Sequence, residues 1–238
     1  MGRHFEVRAK SMQATAAKKS ALNMRASKEV YMAAKSGVPD PSANLALRSV
    51  IEKWKSQGAP KEVIDRAIKK AAGGEMTTYI SGRYEAFGPG GTYIVVDALT
   101  DNVNRAISEI RAAITKKDGK MTSVIFNFTE FGNLVFKAGA CLADIEETLI
   151  LGDVDLQEII DLKNGMIQCL VNPSDLGKAR DLIKENFNVE EFELAQIMLI
   201  PNETVAIADK EEHDKLVALL DVLDELEDVQ DVYHNCDI

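Results

Sequence analysis

The chain is short of the residues on which metal, disulfide and catalytic chemistry depend. Its three cysteines, Cys141, Cys169 and Cys236, are widely spaced and form no Cys-x-x-Cys pair. An odd, scattered set of this kind supplies neither a disulfide framework nor a zinc cluster, and it suits a reducing cytoplasm. Histidine is equally sparse: His4, His213 and His234 lie in separate segments, none with a cysteine or carboxylate at catalytic or metal-ligand spacing. The sequence therefore offers no catalytic set, no metal centre and no cofactor requirement, and an enzyme is not expected. Long apolar runs are missing too. None approaches the roughly 18 residues needed to cross a bilayer, and no signal-peptide core follows the first basic residues, so no membrane partner is expected.

What is present is a division of charge. The net charge is −10, yet residues 1–74 hold 15 lysines and arginines against 6 aspartates and glutamates, while the remainder holds 13 against 32. An acidic body of this size repels nucleic acid unless a separate basic face makes the contact, so the asymmetry points to a polyanionic partner for the leading segment. A solvated, lysine-rich helical surface is the plainer alternative. Residues 1–36 carry only Glu6 and Glu29 as acids. That composition is shared with organelle transit peptides, although lysines here outnumber arginines.

With 46% apolar residues the chain can bury real cores. Residues 11–36 contain strong helix formers and stop at Ser36-Gly37 before Pro39, which predicts a first helix. Asp40-Pro41 predicts the cap of a second, in which Leu47, Val50, Ile51 and Trp54 recur at helical spacing; that stripe makes Trp54 a core residue, with stacking on a base as the alternative. Pro60 opens a third helix with Val63, Ile64, Ala67, Ile68 and Ala71 on one stripe and Lys61, Arg66, Lys69 and Lys70 off it, closed by Gly73-Gly74.

The period then changes. Tyr84 to Phe87 and Tyr93 to Leu99 read as strands around Gly88-Pro89-Gly90-Gly91. A phosphate-binding loop must lead from a strand into a helix, whereas this cluster leads into another strand and lacks both G-x-G-x-x-G and a GK[ST] ending, so it predicts a hairpin bend. Asp101 is expected to cap a helix carrying Val103, Ile107, Ile110 and Ile114; its start offers more polar side chains than capping needs, which leaves Asp101, Asn102, Asn104 and Arg105 as a possible contact site. Ser123 to Phe128 reads as a strand. Beyond it, Asn133 to Lys137, Leu142 to Leu151, Asp155 to Leu162, Met166 to Val171, Ser174 to Asn186 (capped by Ser174) and Val189 to Leu199 give the β-α-β-β-α-β order of a ferredoxin-like unit. A short strand at Thr204 to Ile207, a helix bearing Leu216, Leu219, Leu220, Leu223 and Leu226, and a strand at Val229 to Tyr233 close the chain. Asp221, Asp224, Glu225, Glu227, Asp228 and Asp231 surround that leucine stripe and read as its wet face. The expected class is α+β in three domains: a basic helical domain over 1–78, an α/β domain from 79–131 plus 200–238, and a ferredoxin-like α/β domain, 132–199, inserted in it.

Two blocks, PDPSANLALRSVIEKWKSQGAPKEVIDRAIKKAAGG (39–74) and RYEAFGPGGTYIVVDALTDNVNRAISEIR (83–111), resemble the YebC/PmpR family, and Gly2-Arg3 with the basic helix after it is similar to that family's N-terminus. The short GRHF opening and the lack of extra insertions are most similar to the YeeN-type branch. The resemblance implies a helical domain followed by two α/β domains, one inserted in the other, in a cytoplasmic protein whose basic N-terminus belongs to the mature chain. It also implies regulation: the family is described as DNA-binding transcriptional regulators, its mitochondrial relatives as translational activators of cytochrome c oxidase, and some bacterial members act on ribosomes stalled at proline-rich stretches. Two departures bear on the site. His4-Phe5-Glu6-Val7 stands where members commonly have a Trp and a Lys, which alters any contact made by that tip. Val103 stands where many members place a basic residue between two asparagines, which removes a charge.

The expected function is that of a transcriptional regulator binding DNA through its basic helical segment, with a ribosome-associated factor binding ribosomal RNA as the alternative, and with protein partners possible through the acidic α/β domains. Arg3, His4, Arg8, Lys10, Lys18, Lys19, Arg25 and Lys28 are the expected contacts, extended by Arg66, Lys69 and Lys70. The cations would meet phosphates as point charges, giving affinity with little sequence preference.

Overall fold

Hydrophobic periodicity and glycine punctuation divide the chain into seven helices and eight strands among the residues that the computed structural model describes, 16–73, 77–162 and 165–237. The helices are α1 (Ala16–Lys35), α2 (Leu45–Ser56), α3 (Lys61–Ala72), α4 (Val103–Lys116), α5 (Leu142–Leu151), α6 (Leu176–Phe187) and α7 (Lys210–Glu225). The strands are β1 (Ile80–Phe87), β2 (Tyr93–Thr100), β3 (Lys120–Met121), β4 (Phe128–Lys137), β5 (Leu156–Asp161), β6 (Met166–Val171), β7 (Phe192–Pro201) and β8 (Val229–His234). They fall into two units, one of them Thr129–Ile200 and the other the described residues on either side of it.

In the larger unit α1, α2 and α3 bury one another's apolar stripes: Tyr31, Leu47, Ile51, Trp54 and Ile64 form their common core. The antiparallel sheet runs β3-β1-β2-β8. Alternation along its strands turns Ala86, Ile94, Val96 and Ala98 to one face, where Ile110 and Ile114 of α4 and Leu216, Leu219 and Leu223 of α7 cover them. The smaller unit has the strand order β5-β6-β4-β7 with α5 and α6 on one face, as a β-α-β-β-α-β succession requires. Its core includes Cys169, whose thiol is pushed up to about 12 by burial and is therefore inert as a nucleophile at neutral pH.

The bend between β1 and β2 is a hairpin closed by the Phe87–Tyr93 pair, with Gly90 and Gly91 at φ of +66° and +74°. The Gly90 amide donates to the Glu212 carboxylate at 2.9 Å, so this backbone group is already committed to an anion of the chain itself. Gly90→Ala is expected to cost about 1–3 kcal/mol, through the left-handed backbone and through a Cβ that would lie 2.7 Å from the Ile207 side chain, and a shift in the urea midpoint would measure it.

Five local expectations need correction. Asp101 does not cap α4; Asn102 does, its side-chain oxygen accepting from the Arg105 amide at 3.1 Å, while the Asp101 carboxylate takes the Arg105 guanidinium at 2.8 Å. Asp40 does not cap α2; its carboxylate accepts from the amide and hydroxyl of Ser42 in a preceding turn, and Asn44 is the cap, accepting from the Leu47 amide at 3.0 Å. Ser123 to Phe128 is not a strand. The Glu85 carboxylate captures the Val124 and Ile125 amides at 2.6 and 2.8 Å, which folds Ile125–Asn127 into a 3₁₀ turn and delays β4 to Phe128. Thr204 to Ile207 contributes a single parallel bridge, Val205 to Cys236. Ser174 lies inside a 3₁₀ turn that Asn172 caps, one turn ahead of α6.

Candidate nucleic-acid interface

The leading helix carries its cations on two sides. Lys18, Arg25 and Lys28 recur at intervals of seven and three residues, which places them along one side of α1, and that side meets the acidic end of α7. Lys18 Nζ lies 2.5 Å from Asp221 Oδ1, and this hydrogen bond, ahead of any other influence, raises the Lys18 pKa. Arg25 Nη2 donates to the Asp224 carbonyl at 2.6 Å and is 3.6 Å from the Asp224 carboxylate. Lys28 goes deepest. Its side chain is only 5% exposed, and the ammonium donates to Asp228 Oδ1 at 2.5 Å, to the Glu227 carbonyl at 2.9 Å and to the Leu99 carbonyl at 3.2 Å, which uses all three of its donors. Lys28 is thus an internal ion, not a phosphate contact, and the expectation for it is withdrawn on its burial.

The same Asp228 takes the guanidinium of Arg105. Nε and Nη2 of Arg105 lie 3.0 and 2.8 Å from Asp228 Oδ2, and Nη2 also reaches Asp101 at 2.8 Å. Burial opposes ionisation of Asp228, but the hydrogen bonds from Lys28, Arg105 and Thr100 outweigh it and hold the carboxyl below the usual range. The Arg105 pKa is raised by the same bonds, to Asp228 first and Asp101 second. Asn102 caps α4 by accepting from the Arg105 amide at 3.1 Å, and Asn104 is exposed on its first turn. The polar start of α4 is therefore occupied in tying β2, α4 and the loop before β8 to α1.

The other expected contacts among the described residues face solvent. Lys19 is exposed on α1. Arg66, Lys69 and Lys70 are exposed at i, i+3 and i+4 of α3, hence side by side, with Asp65 among them. Lys70 Nζ sits 5.5 Å from the centre of the Tyr31 ring, and Lys35, exposed at the end of α1, donates to the Ala71 carbonyl at 3.1 Å. The ends of α1 and α3 thus present Lys35, Arg66, Lys69 and Lys70 together. Arg3, His4, Arg8 and Lys10 lie outside the described residues.

Trp54 is buried, and its indole Nε1 donates to Glu29 Oε2 at 2.8 Å. The base-stacking alternative is thereby excluded. His213 is 3.6 Å from Asp214 on α7 and His234 belongs to β8. Among the described residues no group of three or more His, Cys, Asp or Glu could hold a metal ion, and no helix is long and apolar enough to cross a membrane.

Sequence reasoning missed Asp228 and Glu29. By spacing Asp228 reads with the wet face of the last helix; the signal against that is its place just before Val229, where the leucine stripe ends and a buried strand begins.

Comparison with known proteins places this geometry in a family. Residues 3–74 match the TACO1/YebC protein N-terminal domain and residues 79–236 the TACO1/YebC second and third domain. The chain belongs to the TACO1/YebC family. A relative from Mesoplasma florum, named probable transcriptional regulatory protein Mfl546, is 48% identical over the full length of both chains. One from Pseudoalteromonas translucida, named probable transcriptional regulatory protein PSHAb0060, is 38% identical over 99% of this chain and 98% of its own. The crystal structure of the conserved hypothetical protein Aq1575 from Aquifex aeolicus superposes with a TM-score of 0.76 at 32% identity, covering 94% of this chain and 93% of that one. The α+β architecture described above is that of this family.

Proposed function

We propose that the protein is a DNA-binding regulator of transcription whose principal described contact surface is the cationic end of α1 and α3. The observation that carries this reading is the exposed group Lys35, Arg66, Lys69 and Lys70, which keeps its charges toward solvent while other cations of the basic segment are engaged with the protein's own aspartates. Lys19 adds a fifth exposed charge. The names of the full-length relatives support the regulatory part of the reading. Such a surface gives affinity through phosphates and little sequence discrimination.

Titration of a 24-base-pair duplex by fluorescence anisotropy between 50 and 200 mM salt tests it. Four phosphate contacts give log affinity against log salt a slope of about −3.6, and contacts from the N-terminal residues steepen it. Changing Arg66, Lys69 and Lys70 together to Glu should reduce the slope by about 3 and weaken binding at 50 mM salt roughly 100-fold. A flat salt response overturns the reading. Crosslinking in cells followed by sequencing of the attached nucleic acid decides the polymer: recovery of ribosomal RNA alone would reject DNA in favour of the ribosome.

A further inference from the structure

The side of α1 that carries Lys18 and Arg25 is itself built to meet a polyanion, and in this structure its occupant is the end of α7. Asp221 and Asp224, three residues apart, share one side of α7, Asp228 lies in the turn that follows the helix, and the three meet Lys18, Arg25 and Lys28 in order. The three pairs are unequal. Asp228 and its partner Lys28 are 3% and 5% exposed, whereas the outer pairs are open on the acidic side, with Asp221 and Asp224 at 54% and 43% against Lys18 and Arg25 at 20% and 14%. An ion pair whose carboxylate stands in water is weakened, because water and salt compete for that carboxylate, while breaking a buried pair costs several times more. The inner pair therefore anchors α1, and the outer two can change partners without loosening it.

We propose that Lys18 and Arg25 form a second nucleic-acid contact surface, which the carboxylates of Asp221 and Asp224 occupy in the free protein and yield to phosphates on binding. This rests on the nucleic-acid reading above and adds to it a built-in competitor. A carboxylate and a phosphate oxygen offer a lysine or arginine the same charge-assisted hydrogen bond, so the exchange replaces one anion with another and leaves the cations where they are. The acidic stripe of α7 then sets a threshold: weakly engaged or short polyanions stay on the α3 surface, and a polymer long enough to reach both surfaces gains the additional contacts. Exchange has a salt signature of its own, because the internal pairs are screened by the same ions that compete at the phosphates.

The test uses the full chain and the same 24-base-pair duplex. Asp221→Asn with Asp224→Asn leaves the Lys28–Asp228 anchor and the Asp224 carbonyl in place. It should strengthen binding about tenfold at 100 mM salt and steepen the slope by up to about 2, for two added phosphate contacts. Adding Lys18→Gln and Arg25→Gln to that variant should return slope and affinity to the wild-type values. Neutralising two acids elsewhere, Glu146→Gln and Glu147→Gln on α5, makes the same change in net charge and should gain far less. A gain equal to this control, or a gain that survives loss of Lys18 and Arg25, overturns the proposal, as does an unchanged slope in a variant whose urea unfolding matches wild type. Its failure is distinct from failure of the function itself: if only the competitor idea is wrong, wild type still binds DNA with a steep salt slope and the α3 charge reversal still lowers that slope by about 3.

Discussion

Replacing Asp228 with alanine is expected to destabilise the larger unit by about 3–5 kcal/mol, the range for removing one partner of a buried ion pair. The reason is what stays behind. Lys28 Nζ keeps only the carbonyls of Leu99 and Glu227 as acceptors in a site 5% open to water, and no anion remains to balance its charge. Arg105, 44% exposed, can turn to solvent and to Asp101, so the loss concentrates on Lys28. Urea unfolding should show the midpoint falling with little change in slope. Replacing both partners, Lys28→Met with Asp228→Leu, should recover much of the stability, since an apolar pair of similar volume carries no desolvation cost. The pH dependence has a definite sign. The Asp228 carboxyl is held below its unfolded value of about 3.9, so its contribution is fully present above that pH and is lost as pH falls through the folded value. Wild type should therefore lose stability below about pH 4 more steeply than Asp228→Ala. Parallel acid profiles for the two proteins would show that this carboxylate does not act as an ionised anchor.

The same network marks the boundary of what the sequence discloses. The stripe Leu47, Val50, Ile51 and Trp54 shows directly that Trp54 is core, because burial on a helix follows from spacing alone, and the Asn164-Gly165 signal and alternating runs give the ferredoxin-like order of β4 to β7. Sorting of charge by segment is just as visible. Which cations remain available is not, because Lys28 and Asp228 are 200 residues apart and their pairing depends on how α1 is laid against the sheet. Local capping failed for a related reason. Asp40 and Asn44 are both good caps, and the choice fell to Asn44 because its amide also donates to the Ala33 and Val38 carbonyls, tying the loop to α1. Ser123 to Phe128 has the composition of a strand, but a carboxylate 39 residues earlier in the chain removes two of its amides from any ladder. In each case a hydrogen bond from outside the segment outweighed a local preference.

Trp54→Ala should cost about 3–5 kcal/mol, comparable to the loss at Asp228, by opening a large cavity in the three-helix core. Trp54 is 2% exposed and packs with Tyr31, Leu47, Ile51 and Ile64 from all three helices, so the space cannot close by movement of one neighbour. The substitution also strips Glu29 of its indole donor, leaving Lys53 at 3.0 Å as the partner of that carboxylate. Trp54→Phe separates the two effects: it keeps most of the buried ring and loses the hydrogen bond, for an expected cost of about 1.5–3 kcal/mol, the range for hydrogen bonds to charged groups. Because Trp54 is the chain's single tryptophan, its emission reports this core alone, and in wild type it should shift to the red with urea along with the loss of helical circular dichroism. The consequence for binding is indirect. Arg66, Lys69 and Lys70 stand together only while α3 is packed, so Trp54→Ala should weaken DNA binding to the extent that it unfolds the bundle, and no further when stability is restored by low temperature or an excluded osmolyte. A Trp54→Ala protein as stable as wild type yet unable to bind would mean that the ring acts on the nucleic acid directly, against its place in the core.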